Sequence, residues 1–119
     1  MTPVNAATRR AVAYIAGRLI SGSNASSVYD YSTGRHTNFS GEVSRSRVSV
    51  FDYDRSASVS GSPPSLFDYG NGAHIRLTTQ GTAFKGFDYG SGDHFSGRVN
   101  GRSVSLFDYG ASAHYNYTV

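Results

Sequence analysis

The chain has 119 residues, enough for one domain with a single core and too few for two. It has no cysteine, which excludes disulfides and thiolate metal sites. Its 13 % aromatic content and 14 glycines exclude a disordered chain and point to a turn-rich β composition. The net charge of +3 comes from ten arginines and one lysine (Lys85), scattered rather than gathered into the basic stripe expected of a nucleic-acid binder.

Residues 3 to about 20 are predicted to form a helix, with Thr2 as its cap, Pro3 at the first helical position and Gly22 as its stop. Val4, Thr8, Ala11, Val12, Ile15 and Leu19 recur at helical spacing, while Arg9, Arg10 and Arg18 lie elsewhere on the wheel. This pattern predicts an amphipathic helix docked on the rest of the domain. Thr8-Arg9-Arg10 before the apolar Ala11–Ile15 has some likeness to a twin-arginine export signal. Arg18 interrupts that short stretch, so a cytoplasmic location is favoured. No apolar run approaches the ~20 residues of a membrane span.

From residue 28 the pattern changes to short alternating strands punctuated by Gly and Ser. An aromatic-Asp-Tyr motif occurs at Tyr29-Asp30-Tyr31, Phe51-Asp52-Tyr53, Phe67-Asp68-Tyr69, Phe87-Asp88-Tyr89 and Phe107-Asp108-Tyr109, with Asp-to-Asp spacings of 22, 16, 20 and 20. Each of the four histidines (His36, His74, His94, His114) lies six residues after a motif Asp, and Ser58 takes that place in the second copy. Such periodicity is the signature of a repeat architecture. Residues 1–27 are therefore read as helix and linker, and 28–119 as a hairpin-repeat sheet, within one domain. The fold class is mainly β (α+β): one N-terminal helix, then an antiparallel meander of about ten short strands built from five ~20-residue hairpins. A closed barrel and a strongly bent open sheet both satisfy the pattern. Pro63-Pro64 marks an edge, bulge or break, since neither residue can donate a ladder hydrogen bond.

Tyr29-Asp30-Tyr31-Ser-Thr-Gly34-Arg35 resembles, with one more residue before the Gly, the Tyr-Asp-x-x-Gly-Arg core of bacterial YD repeats, which implies hairpin units of similar period. The later copies read Phe-Asp-Tyr-Gly or Phe-Asp-Tyr-Asp and lack that Arg. The likeness is taken as shared hairpin chemistry.

A three-residue loop at Gly70-Asn71-Gly72 pairs Tyr69 with Ala73. It places Asp68 opposite His74, and the same count sets Asp88 opposite His94 and Asp108 opposite His114. Alternation then puts Phe67, Tyr69, Ile75, Leu77, Phe87, Tyr89, Phe95, Phe107, Tyr109 and Tyr117 on one face, as an aromatic core. The other face carries Asp68, His74, Asp88, His94, Asp108 and His114, with an apolar band (Leu66, Phe84, Val104, Leu106) for the helix to cover. Keeping equivalent residues on one face then requires an odd-length loop or a bulge at Gly81 and Gly101.

Three readings of the resulting Asp–His row compete. The leading one is architectural: charge-assisted cross-strand pairs, with Asp also bonding its own turn. It predicts greatest stability in mildly acidic solution. The second is a metal site built from Asp30, His36, Asp68, His74, Asp88, His94, Asp108 and His114, since imidazole and carboxylate suit zinc, nickel or copper. The third is an Asp–His general base, disfavoured because no serine lies in a Gly-x-Ser-x-Gly elbow. The Gly-rich loops return to strands without a helix N-terminus for phosphate, so no cofactor is expected. The function expected is non-enzymatic and structural or binding, of bacterial type. Tyr31, Tyr53, Tyr69, Tyr89 and Tyr109 at the loop end would present rings to a carbohydrate or protein partner. A second copy of the chain is another way to cover an exposed aromatic face.

Overall fold

The computed structural model describes residues 4–119. Helix α1 (Ala6–Ser21) is followed by ten antiparallel strands: β1 (Ser27–Asp30), β2 (Arg35–Val43), β3 (Val48–Asp52), β4 (Ala57–Ser62), β5 (Ser65–Asp68), β6 (Ala73–Gln80), β7 (Ala83–Asp88), β8 (Asp93–Asn100), β9 (Ser103–Asp108) and β10 (Ala113–Thr118). Each strand pairs with the next, and β1 pairs with β10 through Tyr29–Thr118 and Asp30–Tyr117, so the meander closes into a barrel. Closure leaves no edge strand to template aggregation.

Asn5 caps α1, its Oδ1 accepting from the N–H groups of Ala7 (2.8 Å) and Thr8 (3.4 Å). This cap lies three residues beyond the expected one; Thr2 and Pro3 fall outside the described residues. Gly22 ends the helix as expected, in the left-handed region at φ 72°, its N–H bonded to the Arg18 carbonyl.

The helix is not docked on the outside of the sheet. Every residue from Ala11 through Gly17 is buried, which a one-sided helix cannot achieve, and α1 contacts β1, β2, β6, β8 and β9. It therefore fills the barrel lumen. An eight-stranded barrel can be filled by its own side chains, and ten strands leave room for more. The small side chains of Ala11, Ala13, Ala16 and Gly17 let the helix fit that space. A Cβ at Gly17 would lie 2.8 Å from Val119 Cγ2 and 3.1 Å from Val104 Cγ2. Val12 and Ile15 pack in the same cluster as Val28, Leu66, Ile75, Leu77, Phe95 and Leu106, each contributing about 1.5–3 kcal/mol. Tyr14 stacks on Phe39 at 4.5 Å and donates its hydroxyl to the Ala25 carbonyl.

Register decides the faces. The motif loop has four residues, not three: Asp68 pairs with Ala73, and Phe67 pairs with His74. At the other end of the hairpins the turns Gly81-Thr82 and Gly101-Arg102 have two residues, with Gln80 paired to Ala83 and Asn100 to Ser103. Because both loop lengths are even, equivalent residues stay on one face without the odd loop or bulge expected at Gly81 and Gly101. The single extra residue exchanges the two faces of every odd-numbered strand relative to the expectation. Leu66, Phe84, Val104 and Leu106 join Ile75, Leu77, Phe95 and Tyr117 inside, whereas Phe67, Phe87 and Phe107 turn outward. Pro63-Pro64 forms a two-residue turn between β4 and β5 rather than an edge, a position that needs no ladder donor.

Filling the lumen so tightly makes it intolerant of volume. Gly17→Val is expected to lower unfolding free energy by about 1–3 kcal/mol in a urea titration, with Gly17→Ala intermediate.

Candidate functional site

The motif aspartates shape the local backbone first. In each copy Asp Oδ1 accepts the N–H two residues on: Ser32 (2.9 Å), Asp54 (3.0 Å), Gly70 (3.0 Å), Gly90 (3.1 Å) and Gly110 (3.0 Å). This is the Asx turn that Asp favours. The fourth loop position is left-handed every time, at Gly34, Ser56, Gly72, Gly92 and Ser112, with φ from 51° to 76°. Two of these are serines, so the turn geometry is imposed even where the residue disfavours it.

The same aspartates point into the barrel and are buried. The second oxygens of all but Asp88 reach the N-terminal end of α1 or one of three arginines. Asp108 Oδ2 accepts from Val4 N–H (3.0 Å) and Arg9 Nη1 (3.3 Å), and Asp68 Oδ2 accepts from Thr8 Oγ1 (2.8 Å). Arg10 lies 3.7 Å from Asp30. Arg55 donates to Asp52 at 2.7 Å and to Asp68 at 3.0 Å. Burial works against the Arg55 charge, but the hydrogen bonds and charges of Asp52 and Asp68 prevail and raise its pKa. The carboxylates thus ring the N-terminal end of the helix, where the macrodipole is positive.

One sector of the ring has no arginine or lysine paired with it. Among the described residues, Asp88 accepts only from Gly90 N–H and Ser91 Oγ, and Asp93, its cross-strand neighbour, is buried with neither oxygen hydrogen-bonded. The other hairpins carry Arg35, Ala57, Ala73 and Ala113 at the place of Asp93.

The histidines sit on the opposite surface of the sheet. His36, His74, His94 and His114 are exposed on the barrel exterior, each across from a motif aromatic rather than an Asp, with ring centroids 4.7–4.8 Å apart. The expected Asp–His row therefore does not form. Asp30, Asp68, Asp88 and Asp108 face inward and their histidines face outward, separated by the sheet itself. Among the described residues no three His, Asp or Glu side chains converge as metal ligands. The charge pairing that suggested a mildly acidic stability maximum is absent with the row.

What does form outside is an aromatic girdle around the motif-loop end. Tyr31, Tyr53, Tyr69, Tyr89 and Tyr109 are between 49 % and 62 % exposed. Each lies edge-on to the aromatic two residues before it, at 4.7–5.0 Å. Four of the five units therefore present a Tyr–aromatic–His triple. Ser58 replaces the His in the second, where Arg55 instead turns inward to Asp52 and Asp68. Hydrogen bonds join the hydroxyls of Tyr31, Tyr53 and Tyr109 to Thr118, Ser40 and Ser96 on the neighbouring strand, holding those rings against the barrel wall. The structure thus keeps the five tyrosines named from sequence at one rim, on the exterior rather than in a core. The inward carboxylate ring was missed. Thr8, Arg9 and Arg10 gave the available signal, since polar residues on the inner half of a lumen helix need partners.

Tyr117 is the remaining perturbed group. Among the described residues its buried hydroxyl has no hydrogen-bond partner. Burial pushes it up from 10.0 to about 12; Arg9 opposes the shift and Asp30 adds to it. The folded chain therefore holds a proton that the unfolded chain releases first. Its stabilisation is complete below pH 10 and is lost as pH rises through about 12. Tyr117→Phe should retain wild-type stability near neutrality and flatten that alkaline decline, as read by denaturant midpoints across the range. Asp93→Ala, the residue that three other hairpins carry, should raise unfolding free energy by about 1–3 kcal/mol by removing an unsatisfied buried group. A destabilised variant would show that Asp93 has a partner in solution.

Comparison with protein-family models, with characterised proteins and with solved structures finds no match to this chain.

Proposed function

We propose that this is a non-enzymatic binding or structural protein that engages its partner through the outer aromatic girdle, with carbohydrate as the partner class. The observation that carries this reading is the set of five half-exposed tyrosines, each braced edge-on by a second aromatic ring at one rim of the barrel. Large exposed rings gathered in one zone mark interaction surfaces more often than scattered apolar residues do. Their faces suit stacking on sugar rings. Ser40, Ser96 and Thr118, together with the neighbouring histidines, supply hydrogen-bonding groups for hydroxyls.

The non-enzymatic part rests on repetition and on where the polar groups lie. The candidate acid–base carboxylates are engaged in capping turns inside the barrel, while the histidines face solvent. Five similar platforms around one rim suit repeated weak contacts along a polymer, where simultaneous engagement multiplies a modest affinity.

A glycan array followed by calorimetric titration tests the proposal. Tyr69→Ala or Tyr89→Ala should each cost about 0.5–1.5 kcal/mol of binding with no loss of fold, because both side chains are exposed. Replacing all five tyrosines should abolish binding. Full retention of binding in the five-fold variant would place the contact elsewhere and defeat the proposal.

A further inference from the structure

The barrel sorts its charges by sign. Of the eight acidic residues, six (Asp30, Asp52, Asp68, Asp88, Asp93 and Asp108) are buried inside, and only Glu42 and Asp54 remain on the exterior. Of the eleven basic residues, only Arg9, Arg10 and Arg55 form ion pairs with the buried ring. Arg18 belongs to the lumen helix, so the outer surface carries seven cationic side chains against two carboxylates. It is more basic than the overall balance of +3 implies.

Those charges are not evenly useful. Arg35 lies 3.9 Å from Asp54, while Arg102 donates to a backbone carbonyl. Arg76, Lys85 and Arg98 are different: they stand exposed on the adjacent strands β6, β7 and β8 and form no ion pair among the described residues. Strand geometry makes a hollow around them. Gly86 and Gly97 occupy inward positions where a Cβ would lie 1.8 Å from the Arg76 carbonyl oxygen and 2.1 Å from that of Ser105. The neighbouring strand's backbone approaches closely at both points, which leaves no room for a side chain there. The result is a groove of about 730 Å³ on the outer wall, lined by Lys85, Arg98, the hydroxyls of Thr78, Ser96 and Ser105, and Phe107. A second hollow of about 280 Å³ shares Thr78, Lys85 and Ser96 with it and extends past Arg76 to Phe87 and Tyr109. No carboxylate lines either one. The groove therefore runs into the aromatic girdle.

We infer that this groove over β6–β10 binds an acidic oligosaccharide, with Lys85 and Arg98 holding its carboxylate or sulfate groups. The inference rests on the carbohydrate reading above and narrows it to anionic chains. Lys85 supplies a compact charge and Arg98 a planar fork that can grip an oxyanion through two hydrogen bonds. Thr78, Ser96 and Ser105 meet sugar hydroxyls, and Tyr109 and Phe107 offer ring faces where the groove reaches the rim. The volume lies within the range of small-ligand sites. Single-stranded nucleic acid fits less well, because stacking successive bases needs ring faces along the groove and here they lie at one end.

Calorimetry with three pairs of probes tests this: oligogalacturonate, alginate oligomers and chondroitin sulfate, each beside its methyl-esterified or desulfated counterpart. Oligothymidylate serves as a polyanion of another class. At least one acidic probe should bind about tenfold tighter than its neutral counterpart, with the preference shrinking as salt rises. The double variant Lys85→Gln/Arg98→Gln, checked for fold by circular dichroism, should bring the acid down to its neutral partner's affinity. Equal affinity for acid and neutral forms in the wild-type chain overturns the inference and leaves the carbohydrate reading standing. Absence of binding by every saccharide overturns both. Tighter binding of oligothymidylate than of any acidic saccharide overturns the inference in favour of a nucleic-acid groove.

Discussion

A carboxylate placed in a tight turn at the end of a barrel has to be satisfied twice, and the architecture follows from that demand. One oxygen of each motif Asp binds the N–H two residues on and closes its loop. The other points inward, where water is scarce, so a buried charge needs a donor or a cation. For Asp30, Asp68 and Asp108 the helix and the residue leading into it provide both, through the N–H of Val4, the hydroxyl of Thr8 and the guanidinium groups of Arg9 and Arg10, while Arg55 and Ser91 serve Asp52 and Asp88. The helix is thus held axially by polar contacts at its N-terminal end and radially by apolar packing along its length.

Sorting by sign and by polarity follows from the same arrangement. Because the acids are drawn into the lumen, the exterior is left basic. Because Asp occupies the inward position of its tripeptide, the flanking aromatics must point out. The girdle of tyrosines and the basic groove are both consequences of the inward Asp, so the features proposed to meet a partner are tied to the element that organises the interior. The Asp88/Asp93 sector stands apart, with two adjacent carboxylates and no arginine.

Much of this was legible in the chain. The recurrence of the tripeptide predicted ten antiparallel strands in hairpins, and the Ala-rich segment ended by Gly22 predicted one helix. The five tyrosines named as contact residues do lie together at the loop end. The faces were not legible, because they depend on whether the loop after Asp68 counts three residues or four, and Gly70-Asn71-Gly72 reads equally well either way. Tyr69 belongs to the loop rather than the strand. That one residue carries His74 from Asp68 to Phe67 and moves the motif aromatics from the core to the surface.

Local chemistry is written residue by residue, and so the sequence by itself determined the elements: where strands turn, where the helix stops, and that Asp governs the loops. Tertiary structure alone decided which side of the wall is inside. Alternation divides a strand into two faces without saying which one meets the core. Only closure of the barrel settles that, by creating a lumen that the helix must fill and that buried carboxylates must share with arginine. The basic groove is likewise a tertiary product. Arg76, Lys85 and Arg98 are scattered in the chain and become neighbours only when β6, β7 and β8 pair.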